Sequence, residues 1–284
     1  MNLFFDNESI PCFRPPSEAN SFILRVTRGC AHNKCTYCNM YRGVQFAMLN
    51  DDEILRQIAL AANYKEHIRR IFLADGDALV LNTEKLLKIL QILQNTFPNL
   101  ERVSTYAAPK DMLRKSVDEL KQLKENKLTM FYYGMETGDD ATLKFVNKGV
   151  NAEESIEAGR RTVEAGITLS IMIILGLAGK ENSERNALET AKAINIIKPN
   201  MLSALCLMLY RGSELKEQFE KGEFHPLPPA GLIHELKILM ENINLPKNYT
   251  DEMLKGIVQR PKAQQDLNYN YAYYPVVFES ENNY

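Results

Sequence analysis

The sequence predicts an α/β fold: a partial (β/α)6 barrel of parallel strands, a three-quarter TIM-like barrel with a short helical or irregular C-terminal extension. Short stretches rich in branched and aromatic residues alternate with stretches of helical periodicity. Six strands joined mostly by helices are typical of a parallel sheet and fall short of the eight strands of a closed barrel. A flat, doubly wound sheet is the alternative that the same periodicity allows.

The predicted elements follow one another at the spacing of right-handed βαβ units. The strands are expected at 22–27, 69–74, 102–107, 128–135, 168–175 and 201–208, and the helices near 51–66, 83–96, 111–125, 152–165 and 183–197. Asn50 or Asp51, Thr83 and Ser183 are expected to begin three of these helices, because their side chains are typical of helix starts. The sequence Lys198-Pro199-Asn200 is expected to end the fifth helix.

The domain organisation is predicted to be a barrel domain over residues 1–220 and an extension over residues 221–284. The extension begins with a Pro-rich turn, GEFHPLPPAG, and continues with a helical pattern near 230–242. Its Tyr-rich tail at 267–278, LNYNYAYYPVVF, has enough aromatic surface to cover part of the open side of the barrel. A poorly ordered end is the commoner outcome for such a segment.

Composition excludes several classes of protein. The chain has 284 residues, of which 45% are hydrophobic and 25% charged, as in ordinary globular proteins. It contains no apolar run of about 20 residues and no secretory signal, so a cytoplasmic protein without membrane association is expected. The net charge of −2 gives no reason to expect nucleic-acid binding. One of the five cysteines, Cys206, lies in an apolar stretch and is expected to pack as a small hydrophobic residue.

Three of the cysteines are clustered. Residues 28–43, RGCAHNKCTYCNMYRG, place Cys30, Cys35 and Cys38 in the spacing C-x4-C-x2-C. Three thiols suit a [4Fe-4S] cluster whose fourth iron is left open to a small molecule. They also suit zinc, with His32 or the distant Cys12 as a fourth ligand. The loop follows the first predicted strand, at the sheet edge where α/β folds bind ligands.

Four further motifs follow later strands in order. They are LADGDA (73–78), YYGMETGDDATLKFVNKG (132–149), IMIILGLAGKENSE (171–184) and LCLMLYRGSEL (205–215). With the cysteine loop, they make the chain resemble the radical S-adenosylmethionine (AdoMet) superfamily from about residue 20 to 220. The resemblance is greatest to the branch of oxygen-independent coproporphyrinogen oxidases, methylthiotransferases and the elongator acetyltransferase subunit.

The resemblance implies a cofactor and a reaction. Cys30, Cys35 and Cys38 match the ligands of one [4Fe-4S] cluster, whose open iron is chelated by AdoMet. One electron from the cluster then cleaves AdoMet to methionine and a 5′-deoxyadenosyl radical, which removes a hydrogen atom from a substrate. The electron donor is expected to be a flavodoxin or ferredoxin, and the substrate an unidentified small molecule or peptide.

The resemblance also implies the AdoMet contacts. Near adenine it implies Tyr37, the Leu175-Gly176-Leu177 turn and Met208. At the amino group it implies the backbone of Asp75, Gly76 and Asp77. Glu136 is expected to bind AdoMet from the end of the fourth predicted strand, and Lys148 to point toward the AdoMet carboxylate. The residues alone allow other interpretations. Asp77 could be a solvated turn residue, Glu136 a cap of the helix that begins near Asp139, and Lys148 a cation at a helix C-terminus.

The chain also departs from the family pattern. The first cysteine spacing has four residues where the usual pattern has three, and DGDA lacks the first Gly and the Pro of the related turn. Tyr106 and Met172 stand where the coproporphyrinogen oxidase subgroup has Glu and Asp, which argues against that reaction. The sequence thus predicts a radical AdoMet enzyme. The alternatives are a cluster- or haem-binding carrier on the same fold with little turnover, and a zinc-stabilised binding protein.

Overall fold

The computed structural model describes residues 12–244 and the backbone of residues 276–279. Within this part the strands are β1 (Phe22–Arg25), β2 (Thr27–Arg28), β3 (Ala47–Met48), β4 (Arg70–Ala74), β5 (Arg102–Ala107), β6 (Leu128–Glu136), β7 (Thr168–Leu175), β8 (Met201–Cys206) and β9 (Val276–Glu279). The helices are α1 (Asp51–Ala61), α2 (Thr83–Thr96), α3 (Pro109–Leu113), α4 (Val117–Glu125), α5 (Asp140–Phe145), α6 (Ala152–Glu164), α7 (Ser183–Ile197), α8 (Glu214–Glu220) and α9 (Pro229–Asn242). None of these helices is long and apolar enough to cross a membrane.

The main sheet has the strand order β1-β4-β5-β6-β7-β8-β9. Its first six strands are the six predicted from the sequence, and the pairs β1–β4, β4–β5, β5–β6 and β7–β8 are parallel. Helices connect successive strands, so the predicted α/β fold on six parallel strands is confirmed. A small antiparallel pair, β2 with β3, flanks the cysteine loop in sequence.

The predicted Tyr-rich tail lies almost entirely outside the described residues. The backbone of β9 runs antiparallel to β8, with Met201 opposite Glu279 and Ala204 opposite Val276. This pairing uses the backbone groups on one side of β8, which an open sheet edge would leave exposed. A lid function of the tail and a domain boundary at residue 220 stay predictions.

The described chain groups into two compact units. The first contains the residues up to Asn33, Met40–Tyr133 and Arg161–Leu169, and the second contains Lys34–Asn39, Gly134–Arg160 and the chain from Ser170 onward. Branched and aromatic side chains fill the first core, including Ile23, Leu24, Ile71, Phe72 and Val103. The second core includes Ile171, Ala191, Ile194, Leu202 and Leu215. Strands β6 and β7 contribute residues to both units.

All three predicted helix starts are confirmed to within one residue, but Thr83 and Ser183 are the first residues of their helices and not the caps. Asn50 does begin α1, through a capping box in which its side chain accepts the Glu53 N–H at 2.9 Å. Helix α2 is capped by Asn82 instead of Thr83, because the Asn82 carboxamide oxygen already accepts the third helical N–H, that of Lys85, at 2.8 Å.

The second helix start concerns Ser183. This residue lies inside the first turn of α7, and its hydroxyl hydrogen-bonds to Glu235 instead of capping the helix. The predicted end of α7 is confirmed, since Lys198 adopts a left-handed conformation with φ 53°. The expected burial of Cys206 is wrong: this last residue of β8 is exposed, beyond the buried part of the strand.

Candidate functional site

The turn that holds Cys30 is tied to the end of β4 within the first unit. Gly29 has φ 71°, a conformation that favours glycine. Its N–H donates to Asp75 Oδ2 at 3.2 Å, and its carbonyl accepts the Gly76 N–H at 3.1 Å. A Cβ on Gly76 would lie 3.0 Å from the Gly29 oxygen and 3.1 Å from Cα and Cβ of Cys30. Glycine at 76 therefore permits the close approach that brings two predicted site residues, Cys30 and Gly76, together.

The Cys30 sulfur accepts a hydrogen bond from its own loop. The Asn33 N–H donates to Cys30 Sγ at 3.4 Å, and the Asn33 side chain donates to the Tyr41 carbonyl at 2.9 Å. Asn33 adopts a positive φ of 42° in this turn. Hydrogen bonds of this kind stabilise thiolate ligands and influence the potential of an iron–sulfur cluster. The local geometry at Cys30 is therefore suited to a thiolate.

Asp75 contributes its side chain as well as the predicted backbone. Its carboxylate lies 3.2 Å from Arg25 Nε, and both side chains are fully buried. The Asp75 N–H donates to Thr27 Oγ1 at 3.1 Å. Burial raises the pKa of Asp75, and the Arg25 guanidinium acts in the opposite direction. This buried pair fixes the end of β4 against the end of β1, so that removing either charge would leave the other buried and uncompensated.

Asp77 uses its side chain for local structure. Its Oδ1 accepts the Leu79 N–H at 2.9 Å and caps the short helical turn that follows. The side chain is almost fully buried beside Asp111, which pairs with Arg114 at 2.9 Å. Burial, and then the neighbouring Asp111, raise the pKa of Asp77. The solvated-turn interpretation is thus wrong, and the AdoMet contact through the Asp77 backbone stays a prediction.

The other two cysteines belong to the second unit, in the loop Lys34–Asn39. The Thr36 N–H donates to the Val146 carbonyl at 3.0 Å, and the Thr36 carbonyl accepts the Leu215 N–H at 3.0 Å. The Cys38 N–H donates to the Cys35 carbonyl at 3.2 Å, which forms a tight turn between the two thiols. Both cysteines are half-buried. Backbone bonds to the residue after α5 and to the first turn of α8 therefore hold the loop in place.

Glu136 and Lys148 form an ion pair in the same unit. Glu136 Oε1 lies 2.8 Å from Lys148 Nζ, and the two side chains are 11% and 13% exposed. Glu136 ends β6 with φ 67°, an uncommon conformation for a residue with a Cβ. A Cβ at position 134 would lie 2.5 Å from Glu136 Oε1, so Gly134 provides the space for the carboxylate. Burial, and then the Glu136 charge, raise the pKa of Tyr37, whose phenol therefore stays protonated.

The helix-cap interpretation of Glu136 is wrong. The N-cap of α5 is Asp139, whose Oδ2 accepts the Thr142 N–H at 3.0 Å. Lys148 lies three residues beyond the end of α5, and its ammonium binds Glu136. The structure therefore joins two predicted AdoMet residues directly to each other.

Two of the residues predicted near adenine, Leu175 and Met208, lie on neighbouring segments of the chain. Leu175 is buried at the end of β7, and its carbonyl accepts the Leu207 N–H at 2.9 Å. Met208 follows directly and is half-buried, with its sulfur 3.4 Å from the Tyr210 hydroxyl. Gly176 begins the next turn with φ 79°. The backbone bond from Leu207 to Leu175 therefore brings the segments that carry Leu175 and Met208 side by side.

The donor set fits an iron–sulfur cluster. None of the five cysteines forms a disulfide. Within residues 12–244 no three His, Cys, Asp or Glu side chains already form a metal-binding group, so the ligand assignment rests on spacing and local structure. Three soft thiols, an N–H donated to Cys30 Sγ and the close backbone approach at Gly76 are the features that such a cluster and a chelating amino acid require.

Comparison with known proteins identifies the family. The model of the radical SAM superfamily matches residues 24–191, more than half of the chain. The chain belongs to the radical SAM superfamily. The matched segment includes all three clustered cysteines, the turn after β4 and the Glu136–Lys148 pair.

Individual relatives are more distant. An uncharacterized protein of Methanocaldococcus jannaschii is 27% identical over 120 residues, which are 42% of this chain and 37% of that protein. A 4′-phospho-dehydrooxetanocin synthase of Priestia megaterium is 26% identical over 200 residues, covering 62% of this chain and 26% of the relative. The chain thus spans less than two fifths of the length of these relatives.

Solved structures share the fold. Coproporphyrinogen III oxidase (HemN) from Escherichia coli superposes with a TM-score of 0.57 at 14% identity, over 84% of this chain and 58% of that chain. Elp3 from Methanocaldococcus infernus gives 0.52 at 15% identity, over 79% and 54% of the two chains. These likenesses confirm the fold.

Several contributors to the site were not foreseen from the sequence. Arg25 was missed, although a charged residue inside the apolar stretch FILR signals a buried partner. Gly134, two positions before the end of β6, signals a close approach. Asn33 carries no recognisable signal, because its role depends on a positive φ. Glu235 lies on α9, within the predicted extension, far in sequence from the motifs.

Proposed function

We propose that this chain is a radical AdoMet enzyme that holds one [4Fe-4S] cluster through Cys30, Cys35 and Cys38. The observation that carries the proposal is the backbone junction of Gly29, Cys30 and Gly76, within a chain segment that matches the superfamily. It joins a cysteine turn to the strand-end turn that the family uses for the AdoMet amino group. Neither zinc binding nor simple packing requires such a junction.

The residues of the second unit support the AdoMet half of the proposal. Glu136 and Lys148 offer a carboxylate and an ammonium for the two charged groups of the methionine moiety. Their direct pairing at 2.8 Å keeps both side chains oriented and lets each exchange its partner for a ligand of opposite charge. Leu175 and Met208 would pack against adenine, and the protonated Tyr37 would hydrogen-bond near it.

The chemistry belongs to the bound cofactors: when loaded, cluster and AdoMet supply a 5′-deoxyadenosyl radical that abstracts hydrogen. The residues of this chain would orient AdoMet and, by providing only three thiols, would leave one iron free to bind it. A one-electron donor of the flavodoxin or ferredoxin type is required. The substrate is an unidentified small molecule or peptide. Tyr106, in contact with Phe72 and Tyr132, stands at the position where coproporphyrinogen oxidases carry Glu, so a different substrate is proposed.

Reconstitution tests the proposal. Purified protein is incubated anaerobically with iron and sulfide, and bound iron is counted; about four irons per chain are expected, whereas a zinc protein would bind none as a cluster. Dithionite and AdoMet are then added, and 5′-deoxyadenosine is measured by chromatography. Release of 5′-deoxyadenosine supports the enzyme. A full cluster without AdoMet cleavage would instead support the carrier function on the same fold.

A further inference from the structure

Helix α9 carries a buried carboxyl group beside the predicted adenine turn. Glu235 is 1% exposed. Its Oε1 accepts the Gly176 N–H at 3.0 Å and the Asn186 Nδ2 at 3.1 Å, and its Oε2 hydrogen-bonds to the Ser183 hydroxyl. All three partners are uncharged, and burial raises the pKa of Glu235. The Glu235 carboxyl group therefore holds Gly176, Asn186 and Ser183 in place through its hydrogen bonds.

The Gly176 turn is held by α9 from two directions. Glu235 binds the Gly176 amide, and a Cβ at position 176 would lie 2.9 Å from Leu232 Cδ2. Gly176 lies just beyond the end of β7, and its buried N–H has the Glu235 carboxyl group as its hydrogen-bond partner. The turn directly follows Leu175, which is predicted to contact adenine. The position of this turn therefore depends on a side chain 59 residues later in the chain.

The same carboxyl group is linked to the segment after Glu136. Asn186 Oδ1 accepts the Thr137 hydroxyl at 2.6 Å, and Thr190 Oγ1 accepts the Gly138 N–H at 3.0 Å. Glu136 and Glu235 also line one small cavity of about 10 Å³, room for a single water molecule at most. Glu235 is thus connected to both predicted AdoMet segments of this unit, the end of β6 and the end of β7.

We propose that Glu235 is a positioning residue for AdoMet: it fixes the Gly176 turn directly and the Glu136 segment through Asn186. The inference rests on the proposed function. Packing of α9 alone does not require this residue, since an apolar side chain of similar size would fill the space without the cost of burying a polar group. A carboxyl group at this position is explained by the three hydrogen bonds that it makes.

Three variants separate positioning from packing. Glu235→Leu removes every hydrogen bond and keeps the volume. Glu235→Gln keeps the oxygen that accepts from Gly176 and Asn186, and its Nε2 can donate to Ser183. Leu239→Ala is the matched control, because Leu239 is 1% exposed on the same helix and lines the same cavity, yet makes none of these bonds.

Two measurements are made on each variant. AdoMet affinity of the reconstituted protein should fall about tenfold in Glu235→Leu, the effect of roughly one to two lost hydrogen bonds, and should be restored within about twofold in Glu235→Gln. In the protein without cluster, amide hydrogen exchange over 174–179 should speed up in Glu235→Leu and stay unchanged in Leu239→Ala. Melting temperatures should fall in both Glu235→Leu and Leu239→Ala.

The outcomes distinguish the inference from the proposed function. If wild-type protein binds no AdoMet, the proposed function fails and the inference fails with it. If wild type binds AdoMet and Glu235→Leu binds it equally well, the inference alone is overturned. The inference is also overturned if Leu239→Ala lowers AdoMet affinity as much as Glu235→Leu does while the two variants lose the same amount of melting temperature. Should Glu235→Leu fail to fold, Asn186→Ala replaces it: several-fold weaker AdoMet binding supports the inference, and unchanged binding contradicts it.

Discussion

Asp77 and Glu136 occupy equivalent places and are used differently. Asp77 follows β4 and Glu136 ends β6, and the family resemblance assigns each to AdoMet. Asp77 is 1% exposed and its carboxyl group caps a helical turn beside Asp111. Glu136 instead pairs with Lys148 in a strained conformation, with φ 67°. A residue with a Cβ is held in such a conformation only where its surroundings require it, which is common at functional sites.

The difference shows that a motif match predicts a position and leaves the role of the side chain open. At Asp77 the family-like feature is the backbone, which Gly76 brings against Cys30. At Glu136 it is the carboxylate, for which Gly134 leaves space. We therefore expect AdoMet binding to depend on the side chain at 136 and on the backbone at 75–77.

The largest expected effect is loss of the cluster when one of the cysteines near Asp77 or Glu136 is replaced. Cys30 contacts the turn of Asp77, whereas Cys35 and Cys38 flank Tyr37, which lies beside Glu136. Replacing any one of the three by alanine should abolish the cluster, because a three-thiolate site has no spare ligand. Iron content and visible absorbance after anaerobic reconstitution measure this. The exposed Cys206, changed to alanine, is the matched control and should retain the full cluster. Retention of the cluster after loss of one of the three would disprove the ligand set.

The next prediction compares AdoMet affinity after removal of the Glu136 carboxylate and after removal of the Asp77 carboxylate. Glu136→Ala should weaken AdoMet binding at least about tenfold, the effect of losing one charge-assisted hydrogen bond. Asp77→Ala should leave the affinity within about twofold. It should instead lower the free energy of unfolding by about 1 kcal/mol, as loss of a helix cap does. Binding is measured by calorimetry on reconstituted protein and stability by urea unfolding.

The two substitutions also check each other. A similar loss of AdoMet affinity in both variants would mean that the Asp77 carboxyl group contacts the ligand after all. Unchanged affinity in Glu136→Ala would mean that the pair with Lys148 is structural only.

How far the sequence could predict these roles depends on the range of the interactions involved. The bounds of β7, 168–175, were predicted without error because periodicity is a local property. The cysteine loop and the order of the strand-end turns were also predicted, since each motif is contiguous. The partners Arg25–Asp75 and Gly176–Glu235 could not be, because 50 and 59 residues separate them and no local pattern joins them. Strands and motifs were thus predictable because they depend on residues close together in sequence. Contacts between residues far apart in sequence were not predictable.

A third prediction uses the pH dependence of stability at Asp77. Its pKa in the folded protein is raised above the ordinary 3.8, so the folded state binds this proton more strongly than the unfolded state does. The resulting stabilisation is fully present below pH 3.8 and is lost as pH rises through the folded value. Asp77→Asn carries a permanent neutral amide that can donate to Asp111. The variant should therefore gain stability relative to wild type as pH rises.

The measurement is urea unfolding of both proteins at pH 5 and pH 8. Asp77→Asn should compare more favourably with wild type at pH 8 than at pH 5. An identical difference at the two pH values would show that Asp77 is not the titrating group. In that case the comparison with Glu136 would rest on the AdoMet measurements alone.

The smallest effect is expected at Cys12, the fifth cysteine and the distant candidate for a fourth metal ligand. Burial, and then the charge of Asp75, raise its pKa to about 12, against the opposing effect of Arg25. Thiolate is the form that binds iron and reacts with alkylating agents, so Cys12 should do neither at neutral pH. Cys12→Ala should keep the full cluster absorbance.

In the protein without cluster, iodoacetamide at pH 8 should label Cys12 on the order of a hundredfold more slowly than the exposed Cys206, as mass spectrometry can measure. Equal labelling rates would show that the thiol is not held beside Asp75, and loss of the cluster in Cys12→Ala would make Cys12 a ligand and the turn of Asp77 a part of the metal site.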